Sequence, residues 1–261
     1  MRIFFSESNN DYTTYTFNYA IYAIAERLEE LENIYHQGFL PYSSNITLQY
    51  EIFYLARSLR VNLELFEDSS ENRRVDRKIE SLNVHFELIP KNAIDINNSA
   101  FLNFCLSYAQ ERFSNNAMNE ARFNYILNRD TGTHWLVFKS EEKVLAYVLL
   151  AIHGKAVHYW YAFFDATYLE EYPLGKWIMW RSIKWAKENN YDKVYLGTCY
   201  GNSALYKTRD FKGLSFFDGY GWSSNINILK ELCKTDEQLK TSDQFKLEAN
   251  QNEIINTLLR K

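Results

Sequence analysis

Apolar residues recur at helical spacing between positions 16 and 36, at Phe17, Ala20, Ile21, Ile24, Leu28, Leu31 and Ile34. The pattern predicts an amphipathic helix that ends near Gly38. From Tyr50 to Phe66 the pattern changes to a loose alternation. Arg57, Arg60, Asn62 and Glu64 lie between Leu59, Val61, Leu63 and Leu65, which favours strands. The charged run from Asp68 to Lys78 can cap and start a short helix, and residues 82–89 read as a strand stopped by Pro90. Helices are expected at 97–112 and 116–129. Three strands follow, at 133–139, 144–152 and 156–164, with connections of hairpin length, so they should form an antiparallel meander. Next come a helix over 173–190, with Pro173 and Gly175 at its start, and a strand over 193–197. A short helix at 203–208 and a hairpin of 211–217 with 220–222 close the order. The remaining tail is polar up to a short helical stretch near 254–259. The expected division is an N-terminal α/β lobe over 1–92, a second α/β domain over 93–232, and a tail over 233–261. The fold class is mixed α/β (α+β), with a mostly antiparallel sheet flanked by helices.

Composition changes this picture in a few places. The chain of 261 residues can bury a sizeable core, and its 20 Tyr, 18 Phe and 6 Trp are expected to pack there. A net charge of −4 provides no global field for a polyanion, so any nucleic-acid contact must come from local patches. Cys105, Cys199 and Cys233 are isolated, which fits a reducing compartment and argues against zinc, iron–sulfur or disulfide frameworks. The His residues have no metal-ligand spacing, so no metal is expected; His134, His153 and His158 give no triad signal. The N-terminus turns polar too early for a signal peptide, and no apolar run reaches about 18 residues. A cytoplasmic protein with no membrane partner is expected.

Candidate chemistry concentrates between Tyr159 and Trp222. An aromatic run ends on Phe164-Asp165, Leu174-Gly175 opens a helix, Tyr195-Leu196-Gly197 ends the next strand, and Tyr206-Lys207 follows. Open α/β sheets place ligands at the carboxyl ends of such strands. The order of elements from the meander onward resembles the second half of a GNAT acyltransferase domain, giving a GNAT-like fold as the expectation. The motifs resemble those of aminoacyl-tRNA–protein transferases, the arginyl- and leucyl-transferases. Their F-D-P, S-L-G, Y-L-G-Y and M-x-Y-K-x-x-F-x-P segments match Phe164-Asp165, Leu174-Gly175, Tyr195-Leu196-Gly197 and Tyr206-Lys207 with Phe211. In the N-terminal part, Gly38-Phe39 and Ser69 to Arg77 match the family's earlier segments. The departures make this a divergent member. No cysteine lies between Gly38 and Arg60, Ala166 replaces the Pro of F-D-P, and Thr198 replaces the Tyr after Y-L-G.

The resemblance implies transfer of an amino acid, of leucine or arginine type, from charged tRNA to the α-amine of a protein or peptide N-terminus. Aminoacyl-tRNA is then the donor substrate and no cofactor is required. The ester is already activated, so the protein must position the amine, remove a proton and stabilise an oxyanion. Asp165 is the expected catalytic residue, binding an ammonium or the attacking amine. Tyr195, Gly197, Tyr206 and Gly175 are the expected aminoacyl and adenosine contacts. Arg73 and Arg74 could fork onto phosphate or an acidic acceptor, although the acids around them make surface ion pairing an alternative. Lys207 could hold a phosphate, and Lys176, Arg181, Lys184 and Lys187 on one helix could form a tRNA track or a solvated face. Cys199 reads as a buried thiol. The alternatives are an acetyl-CoA-dependent N-acetyltransferase and a non-catalytic binding module of the same fold. The segment Glu170-Glu-Tyr-Pro-Leu-Gly175, with one glycine and two acids, is a poor cradle for a pyrophosphate. The region holds both acids and apolar residues, so the donor amino acid stays open between arginine and leucine types.

Overall fold

In the meander, aromatic and β-branched residues alternate with few polar ones. The three strands β7 (His134–Ser140), β8 (Lys143–His153) and β9 (Ala156–Phe164) pair antiparallel, as the spacing predicts. The computed structural model describes residues 1–11, 16–43, 50–112, 118–141 and 143–238. The tail helix expected near 254–259 lies outside them. Upstream are β1 (Arg2–Asp11), β2 (Thr16–Ile24), α1 (Leu31–His36), β3 (Phe39–Pro41), β4 (Ile52–Leu55) and β5 (Ser58–Asn62). Then come α2 (Ser70–Ile79), β6 (Val84–Pro90), α3 (Ser99–Arg112) and α4 (Glu120–Asn128). After the meander follow α5 (Leu174–Glu188), β10 (Lys193–Thr198), β11 (Leu214–Phe217), β12 (Trp222–Ser223) and α6 (Ile226–Gln238).

The larger sheet has the order β12-β11-β5-β10-β9-β8-β7-β6, and its only parallel pair is β9 with β10. A smaller sheet, β1-β2-β4-β3, is antiparallel throughout. One face of the larger sheet packs on α2, α5 and α6 through Val75, Ile79, Ile178, Trp180, Leu229 and Cys233. Its other face packs on α3 and α4 through Phe101, Cys105, Phe123, Trp135 and Phe163. Toward the smaller sheet, Tyr35, Phe53, Ala151 and Tyr195 form a third cluster. This is the mixed, mostly antiparallel sheet flanked by helices expected from the order of elements. Sheet membership cuts across residue 92, because β5 and β6 both belong to the larger sheet. Likewise α6 runs through residue 232, with Leu229 and Cys233 buried.

The helix expected over 16–36 is a correction. Residues Thr16–Ile24 form β2, and only Leu31–His36 are α-helical. Ile21 and Ala23 are buried while Tyr22 and Ile24 are partly exposed, a period of two. Helical spacing and alternation coincide at several of these positions, and the aromatic and β-branched content decides for strand. Capping is legible at α2, where Ser69 Oγ accepts from Asn72 N at 3.0 Å and the Asn72 side chain accepts from Ser69 N.

One buried ion pair ties the two sheets together. Arg129, 5% exposed, donates from Nε and Nη2 to Glu51 Oε2 at 2.9 and 2.7 Å. It also donates to the carbonyls of Ile52 (3.1 Å) and Tyr42. Glu51 in turn accepts from Asp130 N at 3.0 Å and from Thr131 Oγ1. The chain around β4 is thereby fixed to the loop between α4 and β7. Arg129→Ala should lower stability by about 3–5 kcal/mol, because it strands a desolvated carboxylate. A single ammonium cannot serve all these acceptors, so Arg129→Lys should recover little. Urea unfolding midpoints measure this; a loss under about 1 kcal/mol would show that the pair does not hold the sheets.

Candidate functional site

Parallel strands stay together only while their ladders match. β9 and β10 pair through Ala156 to His158 and Lys193 to Tyr195. On the opposite edge of β9, Leu149 faces Tyr161 and Leu150 faces Tyr159, so Trp160 is an extra residue. Such a bulge bends its strand and increases the local twist. Past His158, β9 leaves β10, and a cavity of about 810 Å³ opens between them. Tyr159, Trp160 and Tyr161 line it from β9, and Leu196, Gly197 and Thr198 from β10. The start of α5 contributes Pro173, Gly175 and Lys176. From the smaller sheet and the chain after β3, Leu40, Tyr42 and Tyr54 close one end.

Its charged residues are all cationic: Arg112, Arg122, Lys176 and Lys207, with no carboxylate among the described lining residues. The N-terminal end of α5 adds partial positive charge. Lys207 is half-buried and donates from Nζ to the Thr198 carbonyl at 3.0 Å. Burial pulls its pKa below the usual lysine range. Gly197 has φ +79°, and a Cβ there would lie 3.7 Å from Lys207 Nζ, so glycine supplies the turn and leaves room beside the ammonium. Tyr206 is 53% exposed and lines the cavity. At Gly175 a Cβ would meet the Phe164 ring at 2.7 Å. The Phe164 ring occupies the space a side chain would take, and Gly175 remains on the cavity wall.

Other expected site residues fall elsewhere. Asp165 does not line this cavity. Its Oδ1 accepts from Thr167 N at 3.0 Å, capping the turn Ala166–Tyr168, and its Oδ2 pairs with Lys143 at 2.7 Å. Burial raises its pKa, but bonds from Lys143 and Thr167 outweigh that and hold the carboxyl below the usual range. It borders a separate cavity of about 600 Å³ beside Phe101, Phe104 and Tyr147. Tyr195 is fully buried on the smaller-sheet side, hydrogen-bonded to His36 Nδ1 and stacked on Tyr35 at 5.3 Å. It cannot touch a substrate in the cavity.

The cations of the α5 track are engaged by partners within the chain. Lys184 pairs with Asp68 at 2.9 Å, Lys187 donates to the Phe66 carbonyl, and Arg181 reaches Glu188 at 3.3 Å. Lys176 is the one member of that track at the cavity, and it is paired with Glu71 (3.1 Å) and Asp210 (2.5 Å). Arg73 donates to the Asp68 carbonyl at 2.7 Å, and Arg74 forks onto Glu71 at 2.6 and 2.8 Å. The ion-pair alternative describes Arg74, while Arg73 is held by a backbone carbonyl. Cys199 is a buried free thiol, pushed up to about 12 by burial, with its Sγ 3.7 Å from that of Cys233.

Arg112, Arg122 and His158 had no sequence signal as site residues, yet all three line the cavity. Arg122 donates to Ser43 Oγ at 3.0 Å, which holds it at the end nearest the smaller sheet. His158 is 2% exposed, and its Nδ1 has no hydrogen-bond partner. Burial, with Lys207 and His153 adding repulsion, pushes its pKa down to about 3. The imidazole is therefore neutral at pH 7. Among the described residues no group of three or more His, Cys, Asp or Glu is placed to hold a metal ion. No described helix is long and apolar enough to cross a membrane.

The unfolded chain binds a proton at His158 near pH 6.5, and the folded chain does so only near pH 3. The unfolded state thus holds more protons between these values, and stability contributed by the neutral imidazole falls as pH drops through that window. His36, His134 and His153 are shifted the same way by burial. The difference between the native chain and His158→Gln isolates one of them. Between pH 6.5 and 4.5 the native chain should lose stability more steeply, by up to about 1.4 kcal/mol per pH unit. Parallel slopes in urea titrations would refute it.

Residues 100–211 match the family model described as arginine-tRNA-protein transferase, C terminus. No curated protein matches the chain. Among solved structures, the chain is similar to the C-terminal domain of a putative lysylphosphatidylglycerol synthetase from Agrobacterium fabrum. The identity is 16%, the TM-score 0.40, and 65% of this chain and 51% of that one are covered. L-PGS from Bacillus licheniformis gives 16%, 0.38, 67% and 50%, and FemX gives 13%, 0.45, 75% and 69%. The chain thus spans about half the length of the first two. Over residues 100–211 the chain resembles the C-terminal part of the arginine-tRNA-protein transferases, in a divergent form.

Proposed function

We propose that this chain transfers an amino acid, of leucine or arginine type, from aminoacyl-tRNA to the α-amine of a protein or peptide N-terminus. The observation that carries the reading is the cavity between β9 and β10, cationic and aromatic with no lining carboxylate, in an otherwise acidic chain. A tRNA 3′ end presents phosphates, an adenine and an ester, which suit cations, aromatic faces and a narrow gap respectively. The family match over 100–211 supports the same class of donor.

In this reading the acceptor amine attacks the ester carbonyl. The tetrahedral intermediate then collapses with release of the ribose hydroxyl, which takes up a proton, leaving an amide. Lys207, fixed by the Thr198 carbonyl beside Gly197, supplies the positive charge for the oxyanion or for the neighbouring phosphate. Tyr206 stacks on or hydrogen-bonds the donor at the open side. Asp165 takes no part in these steps, because its carboxylate is engaged by Lys143 and Thr167.

Incubation of the chain with charged tRNA or with acetyl-CoA, over a panel of peptides with free N-termini, tests the reading. Transfer from acetyl-CoA but from no charged tRNA would refute it. Lys207→Met should lower kcat/KM at least about 30-fold, about 2 kcal/mol of transition-state stabilisation. If transfer persists within threefold, Lys207 has no place in the mechanism. With four cavity cations at about −0.7 each, the slope of log affinity against log salt for a short single-stranded tRNA 3′ end should not exceed about −3. A much steeper slope would place the hold on the RNA on another surface.

A further inference from the structure

We propose that the amino acid delivered to this cavity is uncharged, with an apolar or aromatic side chain, and that arginine and lysine are rejected on charge. This rests on the aminoacyl-tRNA reading above and narrows its donor. A site that accepts a guanidinium places a carboxylate against it, because an unpaired cation loses its hydration on entry. The described lining here contains none, and it holds four cations instead.

Most of the carboxylates in the neighbourhood already have cationic or hydrogen-bonded partners, and Glu170 and Glu171, between the lining residues Leu169 and Tyr172, are exposed to solvent and do not line the cavity. Glu71 and Asp210 hold Lys176, Asp68 holds Lys184 and the Trp180 indole, and Glu51 holds Arg129. Asp165 sits at the other cavity with Lys143. The segments that follow Ser43 and Arg112 in sequence, residues 44–49 and 113–117, contain no Asp or Glu. Tyrosine and tryptophan faces do attract cations at short range. Here that attraction opposes the longer-ranged repulsion of Arg112, Arg122 and Lys207, Lys176 being already paired with Glu71 and Asp210. His158 is neutral and supplies no negative charge for a cation. Leu40, Pro41, Tyr54, Tyr159, Tyr161 and Met179 remain as walls for an apolar or aromatic side chain. An acidic side chain would forgo the contacts these apolar walls offer, and Lys176 is already paired with two carboxylates.

The test charges one tRNA body in turn with leucine, phenylalanine, arginine, lysine and aspartate, so that tRNA sequence does not vary. Transfer to a panel of peptides is then followed with the intact chain, with acetyl-CoA as a further donor. The expected result is kcat/KM at least tenfold higher for leucine or phenylalanine than for arginine and lysine, with the gap narrowing as salt screens the repulsion. Equal rates, or preference for arginine, lysine or aspartate, overturn the inference while leaving aminoacyl-tRNA as donor. Use of acetyl-CoA alone, or no transfer from any charged tRNA, overturns the aminoacyl-tRNA reading itself and this inference with it.

Discussion

The separation of β9 from β10 is the constraint on which the rest of the site depends. Two parallel strands that begin in register would ordinarily stay paired and bury their edges. The extra residue at Trp160 prevents this by bending β9 away after His158. Everything described at the cavity is a consequence. Gly197 adopts its positive φ at the end of a strand that has lost its neighbour, and Lys207 folds back to bond the Thr198 carbonyl there. α5 can bring its start to the opening because Gly175 packs directly on the Phe164 ring.

Charge is distributed to the same effect. The chain is acidic overall, and a cationic cavity in it requires that carboxylates be held away from the opening. α2 does this. It lies against α5 and brings Glu71, while Asp68 sits just before it, so Lys176 and Lys184 of α5 are paired with carboxylates. The local field at the cavity is therefore set by Arg112, Arg122 and Lys207 more than by the lysine-rich helix, whose cations look free in the sequence.

Most of the fold was legible because its signals are local. The meander, the α2 cap and the hairpin of β11 with β12 each depend on residues within a few positions of one another. The error at 16–36 arose where apolar residues fit both periods, so spacing alone could not decide, and the smaller sheet depends on β4, almost 30 residues away in sequence. The site was legible in part. Gly175, Lys176, Gly197, Tyr206 and Lys207 line the cavity, but Tyr195 is buried against Tyr35 and His36 and Asp165 caps a turn. The partners of Lys184 and Lys187, Asp68 and the Phe66 carbonyl, come from the chain before α2, and no spacing along α5 encodes them; Arg74 instead pairs with Glu71 three residues earlier on its own helix. His158, Arg112 and Arg122 meet only through the parting of two strands, which a sequence pattern does not record.

The family match begins at residue 100, yet the cavity cannot be built from that part alone. β5 lies between β11 and β10 and pairs Asn62, Val61 and Arg60 with Lys193, Val194 and Tyr195. It also holds the chain past Thr198 through the Arg57 carbonyl, which accepts from Cys199 N at 2.9 Å. Without that strand the end of β10, and Lys207 with it, would have one paired edge less. Leu40, Tyr42 and Tyr54 close the far end of the cavity from the smaller sheet, and that sheet is held by Arg129 and Glu51. The N-terminal third is thus a wall of the site. A buried ion pair remote from the chemistry then has a reason to exist beyond stability: it fixes the position of the wall against which the substrate's uncharged groups must pack.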